Sequence, residues 1–447
     1  MPTFSLLIKD CDWIVTQNAS REILRNASLL VERGVIAEIN PKESSIHEVD
    51  TVIDGKGKVL MPGLINAHTH ASMTIFRGYA DDMGLEEWLK ERIWPLEARL
   101  DEELCYLGAL LACLEMIKTG TTCFLDMYYH EKGVARAVEE AGLRAFLCQG
   151  FLDAPGDANR RSNPALRHFL TREAKDFIQH IKRLDNPRIK FAIGPHAPYT
   201  CSDAALLWAK KLGDLEEAPV HIHLAETRGE QATFESLYGK GEIEYLDELG
   251  FLSERTVAAH CAWITKPEIE ILSQRKVKVV HCPVSNMKLG IGGVTPVPEL
   301  LEAGVTVALG TDGPASNNSL DMFETMKVAA LLQKQNKWDP RVIDAASVLE
   351  MATLQGAKAL GIDAMVGSVE VGKEADLILV SLKDPNMFPI HGSKGLISNL
   401  VYSGKGFNVD TTIVAGRVLM IGRQVLSIKE EEVYIRFQDA LKKLGLK

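Results

Sequence analysis

Two histidines separated by one residue, His68 and His70, close the apolar run Val59-Leu-Met-Pro-Gly-Leu-Ile-Asn-Ala-His-Thr-His70. Residues i and i+2 of a strand point to the same side, so such a strand end offers two imidazoles to one point in space, as a divalent metal requires. Other apolar runs end in the same kind of group: Asp126, His196, His221 and His223 followed by Glu226, His260, His281, and Thr311-Asp312. A lone histidine after an apolar strand is usually a hydrogen-bonded core residue. Asp126 and His281 are read that way, as groups that orient their neighbours. The set as a whole resists that reading: the chain has 12 histidines, and many of them gather at the ends of apolar runs. Burying so many polar groups together is costly without a shared partner, and a metal ion supplies one. His68, His70, His223 and Asp312 form the expected ligand set. His221 and His223 face the same way, and His223 is preferred because it lies nearer the strand end. Imidazole suits zinc, iron and nickel. A two-metal site would want a bridging ligand such as a lysine late in the fourth strand. That end reads Ala192-Ile-Gly-Pro-His-Ala-Pro198, so a single ion is expected.

The elements that must carry these groups follow from the hydrophobic pattern. Eight short apolar runs, Val59–His68, Thr121–Asp126, Leu143–Gly150, Ile189–Pro195, Pro219–Leu224, Thr256–Cys261, Val277–Cys282 and Val305–Gly310, alternate with amphipathic stretches such as Glu102–Lys118 and Leu320–Lys334. Gly120, Gly142 and Gly304 stand as helix stops. The alternation predicts an α/β fold, a (β/α)8 TIM-type barrel, in preference to an open doubly wound sheet. Chemistry in such a barrel sits at the C-terminal ends of the strands, where the ionisable groups fall. Both chain ends read differently. Ser5-Leu-Leu-Ile-Lys, Trp13-Ile-Val-Thr, Ala27–Glu32 and Val35–Ile39 are strand-like, as are Ala375–Val380, Asn399-Leu-Val-Tyr and Thr411–Met420. They predict a small β-sandwich domain built from two segments, 1–58 and 367–447, flanking a barrel over 59–366. Lys429–Lys447 reads as a surface helix.

Composition narrows the partners. A net charge of −10 argues against nucleic acid or an anionic membrane surface and leaves a small molecule as the expected ligand. The eight cysteines are scattered without a Cys-x-x-Cys pair, which predicts buried reduced thiols. No basic segment followed by a long apolar stretch opens the chain, and no window reaches the ~18 apolar residues of a membrane span. A cytoplasmic protein is expected.

Taken together, Pro62-Gly-Leu-Ile-Asn-Ala-His-Thr-His70, His221-Ile-His-Leu-Ala-Glu226, His281-Cys-Pro-Val-Ser-Asn286, Gly310-Thr-Asp-Gly-Pro314 and Gly367–Leu377 resemble the amidohydrolase superfamily. They fit its mononuclear deaminase and chlorohydrolase branch and are most similar to 5′-methylthioadenosine/S-adenosylhomocysteine deaminases. The resemblance spans essentially the whole chain. It implies one divalent ion, zinc before iron, manganese or nickel, and a nucleoside substrate. It also implies that Trp88, Glu97, His196 and Ser316 contact substrate, with Arg160 and Arg172 as the family's arginines. Family members often self-associate, so a homo-oligomer is among the expectations. The expected chemistry is attack of an activated water on the amine-bearing carbon of a purine. Asp312 takes a proton from the water, His260 polarises the reacting oxygen, and Glu226 protonates the ring nitrogen and the leaving ammonia. Relatives acting on guanine, a pterin or a chlorinated triazine are the alternative. A barrel that has lost catalysis is disfavoured because every expected ligand is intact.

Overall fold

The computed structural model describes residues 5–446 apart from 44–45, 47–48, 85–86 and 155–159. Lys447, the last residue of the expected terminal helix, therefore lies outside the described residues.

Strand β1 (Ser5–Val15), β2 (Ile23–Glu32), β3 (Val35–Ile39), β4 (Thr51–Asp54) and β5 (Lys58–Pro62) share one nine-stranded sheet with β15 (Leu377–Ser381), β16 (Val409–Val414), β17 (Arg417–Ile421) and β18 (Gln424–Val425). Its order is β18-β17-β16-β15-β5-β1-β2-β3, with β4 pairing β1. Antiparallel pairing of β15 with β5, Leu377 opposite Pro62 and Ser381 opposite Lys58, joins the two ends of the chain. One apolar cluster in this sheet draws Leu6, Ile14 and Leu29 from the first segment and Leu377, Leu379 and Ile413 from the last.

Between them run β6 (Leu64–Thr69), β7 (Thr121–Tyr128), β8 (Arg144–Phe151), β9 (Ile189–Phe191), β10 (Gly194–Pro195), β11 (Val220–Leu224), β12 (Thr256–His260), β13 (Lys278–His281) and β14 (Val307–Leu309). Ladder bonding divides them into two parallel arcs, β6–β10 and β11–β14, rather than one continuous ring. The seams carry fewer links. Ile193 N–H donates to Pro219 O and His221 N–H to Ile193 O, both at 2.8 Å, with His223 N–H to His196 O at 3.0 Å on one side, and Asp312 N–H donates to His68 O at 3.0 Å on the other. At that second seam a Cβ on Gly310 would lie 2.9 Å from His68, so only glycine lets β14 approach β6 this closely. Both arcs feed one interior: Ile65, Leu125 and Phe146 from the first pack with Val257, Val280 and Ala308 from the second.

Helices cover the strands and obey local rules. Asp101 accepts from Leu104 N–H to open Glu102–Thr119, and Gly120 closes it at φ 85°. Three readings change. The run Val59–His68 is two strands, β5 and β6, because Gly63 lets the chain pass from the end-built sheet to the parallel arc; its N–H donates to Asp376 O at 2.9 Å. The fourth run breaks between β9 and β10. Asn399-Leu-Val-Tyr lies in a helix, Gly392–Tyr402, which buries Leu396, Ile397, Leu400 and Val401. That spacing of three to four residues is helical, and a short apolar window cannot reveal it. The terminal helix is Glu430–Leu444. All eight cysteines are buried and unpaired.

A buried ion pair clasps the two layers. The Arg144 guanidinium, on β8, donates from Nε to Asp376 Oδ2 at 2.7 Å and from Nη2 to Asp376 Oδ1 at 3.1 Å. It also reaches Glu374, and Asp376 Oδ1 accepts from Ala415 N–H at 2.7 Å. Removing one member of such a pair strands the other charge in the interior. Arg144→Ala should lower unfolding stability by about 3–5 kcal/mol in denaturant titration, and adding Asp376→Leu should recover part of that loss.

Candidate active site

The ends of β6, β11, β12 and β14 turn inward on one point, and their backbones are unusual there. Ala225, His260 and Asp312 have φ of 48°, 72° and 62°, left-handed values that side chains bearing a Cβ rarely adopt and that cluster at functional sites. His68 Nε2 and His70 Nε2 approach Asp312 Oδ1 at 3.3 Å and 3.2 Å. His223 Nε2 is 3.3 Å from His70 Nε2. One group of potential ligand atoms is His68, His70 and Asp312, and a second is His68, His223 and His260, each within 4.8 Å.

Each imidazole is turned by its other nitrogen. His70 Nδ1–H donates to Met127 O at 2.5 Å and His223 Nδ1–H to His196 O at 2.7 Å. His221 Nδ1–H donates to Val257 O at 2.9 Å, which leaves its Nε2 to accept from His68 Nδ1–H at 2.7 Å. His68 Nε2 is then a buried lone pair with no partner among the described residues. This network assigns the tautomers and decides between the two histidines of β11: His223 faces the point of convergence, and His221 orients His68 from behind.

The electrostatics ask for a cation. Burial lowers His68 to about 4, keeping it neutral. Burial would lower His70 as well, but the hydrogen bond and charge of Asp312 lift it to about 9. Asp312 stays well below the usual carboxylate range: burial opposes this, and the neighbouring His68 and His70 rings outweigh it. Three imidazole nitrogens, one carboxylate and an unpartnered buried lone pair fit a divalent ion.

Around this point lies a cavity walled by Trp88, Glu97, His196, Glu226, His260, Asp312 and Ser316, with Met73, Leu89, Trp94, Tyr128, Tyr129, Phe151, Tyr199 and Leu289. Glu226 Oε2 is 3.7 Å from His260 Nε2. Burial, then the charge of Asp312, pushes the Glu226 carboxyl up to about 8. His260 Nδ1–H donates to Asn286 Oδ1 at 2.9 Å, so its Nε2 carries the lone pair. Ser316 Oγ–H donates to Asp312 Oδ2 at 3.0 Å, and Ser285 Oγ–H donates to the same oxygen at 2.5 Å. Glu97 Oε1 accepts from Tyr128 O–H at 2.7 Å. Trp88 is buried and donates Nε1–H to Ala80 O at 2.9 Å, so it both packs and walls the cavity. His196 Nδ1 meets Thr200 Oγ1 at 2.9 Å.

The two arginines are not brought to this cavity. Arg160 is buried elsewhere and committed: Nε–H donates to Pro198 O at 2.6 Å and Nη2–H to Cys201 O at 3.1 Å and Asp203 Oδ1 at 2.9 Å. Its guanidinium lies 5.0 Å from the Phe234 ring centre and 5.1 Å from that of Tyr245. Arg172 is exposed on helix Pro164–Leu184, 5.8 Å from the Phe169 ring. Tyr128, Ser285 and Asn286 were missed by sequence reasoning. The last two stand in the His281–Asn286 segment already singled out, but nothing local says which neighbour each will hold.

Residues 59–419 match the amidohydrolase family. The chain is 47% identical over 417 residues to the 5′-deoxyadenosine deaminase of Methanothermobacter thermautotrophicus, covering 93% of this chain and 94% of that one. It is also 47% identical over 417 residues to the 5-methylthioadenosine/S-adenosylhomocysteine deaminase of Thermococcus sibiricus, with coverage of 93% and 94%. The crystal structure of an adenosine deaminase from Xanthomonas campestris with bound zinc superposes with a TM-score of 0.91 at 35% identity, covering 99% of each chain. With its histidine-rich strand ends and a match over most of its length, this chain belongs to the amidohydrolase family.

Proposed function

We propose that the protein hydrolytically deaminates adenosine derivatives whose 5′ substituent is small and uncharged, 5′-deoxyadenosine or 5′-methylthioadenosine, to the inosine derivative and ammonia. The observation that carries this reading is the buried Glu226 carboxyl, 3.7 Å from His260 Nε2, beside a histidine and carboxylate cluster fit for one ion. Loss of ammonia demands a proton donor at that place, and loss of halide does not. The deaminase relatives at 47% identity support deamination of an adenosine derivative. His68, His70, His223 and Asp312 would hold the ion, zinc first, as in the superposed deaminase structure. When bound, such an ion lowers the pKa of a coordinated water toward neutrality.

This chain's own residues do the rest. Asp312, held as a carboxylate, takes the proton of the attacking water. His260, held by Asn286, hydrogen-bonds the reacting oxygen through Nε2. Glu226 donates its proton to the purine ring nitrogen and then serves the departing ammonia. Glu97, steadied by Tyr128, offers its second oxygen to ribose hydroxyls. His196 contacts the nucleoside, and Ser316 keeps Asp312 oriented. Trp88, Leu89, Trp94 and Leu289 give the wall an apolar stretch suited to a methylthio or methyl end. Among the described residues the wall contains no arginine or lysine, which disfavours an amino-acid carboxylate such as that of homocysteine. The two arcs are read as a closed (β/α)8 barrel over 59–366, with the end-built sheet, 1–58 and 367–447, folded over its own core as a small sandwich. A cytoplasmic setting and self-association complete the reading.

Glu226→Gln should keep its metal, measured by elemental analysis, and lose about 100- to 10,000-fold in kcat; full activity with metal retained would sink the proton-donor role. Because the carboxyl must carry its proton to act, wild-type kcat/KM should decline as pH rises through the Glu226 titration, placed at about 8 before any ion is bound. In His70→Ala, metal affinity should fall by about 100-fold or more, and activity should fall with it. The absorbance change from adenine to hypoxanthine should show kcat/KM for 5′-deoxyadenosine and 5′-methylthioadenosine exceeding that for S-adenosylhomocysteine by about tenfold or more.

A further inference from the structure

Glu226 hangs from a strained peptide. Ala225 precedes it at φ 48°, and the two consecutive N–H groups at this corner are each captured by a buried carboxyl. Ala225 N–H donates to Glu242 Oε2 at 2.6 Å, and Glu226 N–H donates to Glu230 Oε2 at 3.1 Å. The Ala225 carbonyl is held too, accepting from Ala262 N–H and Trp263 N–H, both at 3.0 Å. Neither Glu230 nor Glu242 lines the cavity, yet both are buried, Glu242 completely. Burying a carboxyl away from solvent is costly unless it serves a partner.

Each carboxyl is itself anchored. Glu230 Oε1 accepts from Thr227 N–H at 3.2 Å and Thr227 Oγ–H at 2.8 Å, starting helix Arg228–Tyr238. Glu242 opens helix Glu242–Glu248, and its N–H donates to Gln231 Oε1 at 2.7 Å. Gln231 Nε2–H in turn donates to Glu268 Oε1 at 3.1 Å. Two helix starts therefore grip the two peptides on either side of Ala225. Glu242 Oε1 has no partner among the described residues, so the other oxygen's bond to Ala225 is the contact this side chain is placed to make.

We propose that Glu242 and Glu230 are positioning residues that hold the peptides on either side of Ala225, lock its left-handed turn and so aim the Glu226 carboxyl at the reacting atoms. This rests on the reading of Glu226 as the proton carrier. An accepting oxygen, not a negative charge, does the work at Glu242. Its carboxyl is pushed up by burial and then by Glu230, so an amide is a fair substitute.

The test compares Glu242→Gln, Glu242→Leu and Glu230→Gln with the wild type and Glu226→Gln, all metal-loaded, measuring kcat, KM and metal content. Glu242→Gln should retain kcat within about threefold, because its amide oxygen still accepts from Ala225. Glu242→Leu should lose about 10- to 100-fold in kcat, with KM and metal content little changed, since the loss is one of aim and not of binding. Glu230→Gln, whose amide has one acceptor oxygen where the carboxyl uses two, should lose kcat in the same way, and it carries the test should Glu242→Leu not fold. Wild-type kcat in a folded Glu242→Leu, or equal losses in Glu242→Leu and Glu242→Gln, overturns the clamp. An inactive Glu226→Gln beside a fully active Glu242→Leu condemns the clamp alone. A fully active Glu226→Gln removes the proton-carrier reading and the clamp with it.

Discussion

Everything at the strand ends depends on imidazoles being turned so that their Nε2 atoms meet. A histidine ring has two nitrogens, and fixing one as a donor makes the other a lone pair. Here the donors go to Met127 O, His196 O and, through His221, to Val257 O. All three acceptors are backbone carbonyls of the parallel arcs, so ring orientation is set by the sheet itself. Asp312 completes the arrangement. Its charge is held by Gly313 N–H at 2.7 Å and by Ser285 and Ser316 hydroxyls, as a buried carboxylate requires.

Such a cluster demands a rigid frame. Two devices supply it. Arg144, Asp376 and Glu374 join the first arc to the sheet made from the chain ends, so that sheet braces the catalytic layer although it contributes no side chain to the cavity. The strained corners at Ala225, His260 and Asp312 are the second. A left-handed residue with a Cβ persists only where surrounding bonds over-determine it. Each corner lies where a strand must end abruptly and aim a side chain inward. Strain and function coincide because a relaxed strand would carry these groups past the point where they meet.

The cavity combines a polar floor with an aromatic and aliphatic rim, the ordinary composition of a small-molecule site. The floor gathers the groups fit for chemistry: an imidazole lone pair, a carboxylate and the buried Glu226 carboxyl stand close to one another. On the proposed reading the rim selects the 5′ substituent. Arg160 shows how strongly context rules a side chain's role. Its guanidinium donates to Pro198, Cys201 and Asp203, so it braces a loop and is not among the residues walling the cavity.

Much of this was legible in the chain. Apolar runs ending in His68, His70, His223, His260 and Asp312 declare themselves because strand periodicity and metal chemistry both act over a few residues. The alternation of strands and helices, and the buried unpaired thiols, follow from equally local patterns. Other features depended on distant partners. Which of His221 and His223 turns toward the cluster depends on Val257, and the place of Arg160 on three carbonyl and carboxylate oxygens far along the chain. The Ala225–Glu226 clamp belongs to two helices that meet only after folding. The break between β5 and β6 came from pairing with β15, more than three hundred residues away. Hydrogen-bond partners separated so widely in sequence leave no spacing to read, so only the tertiary structure could assign them.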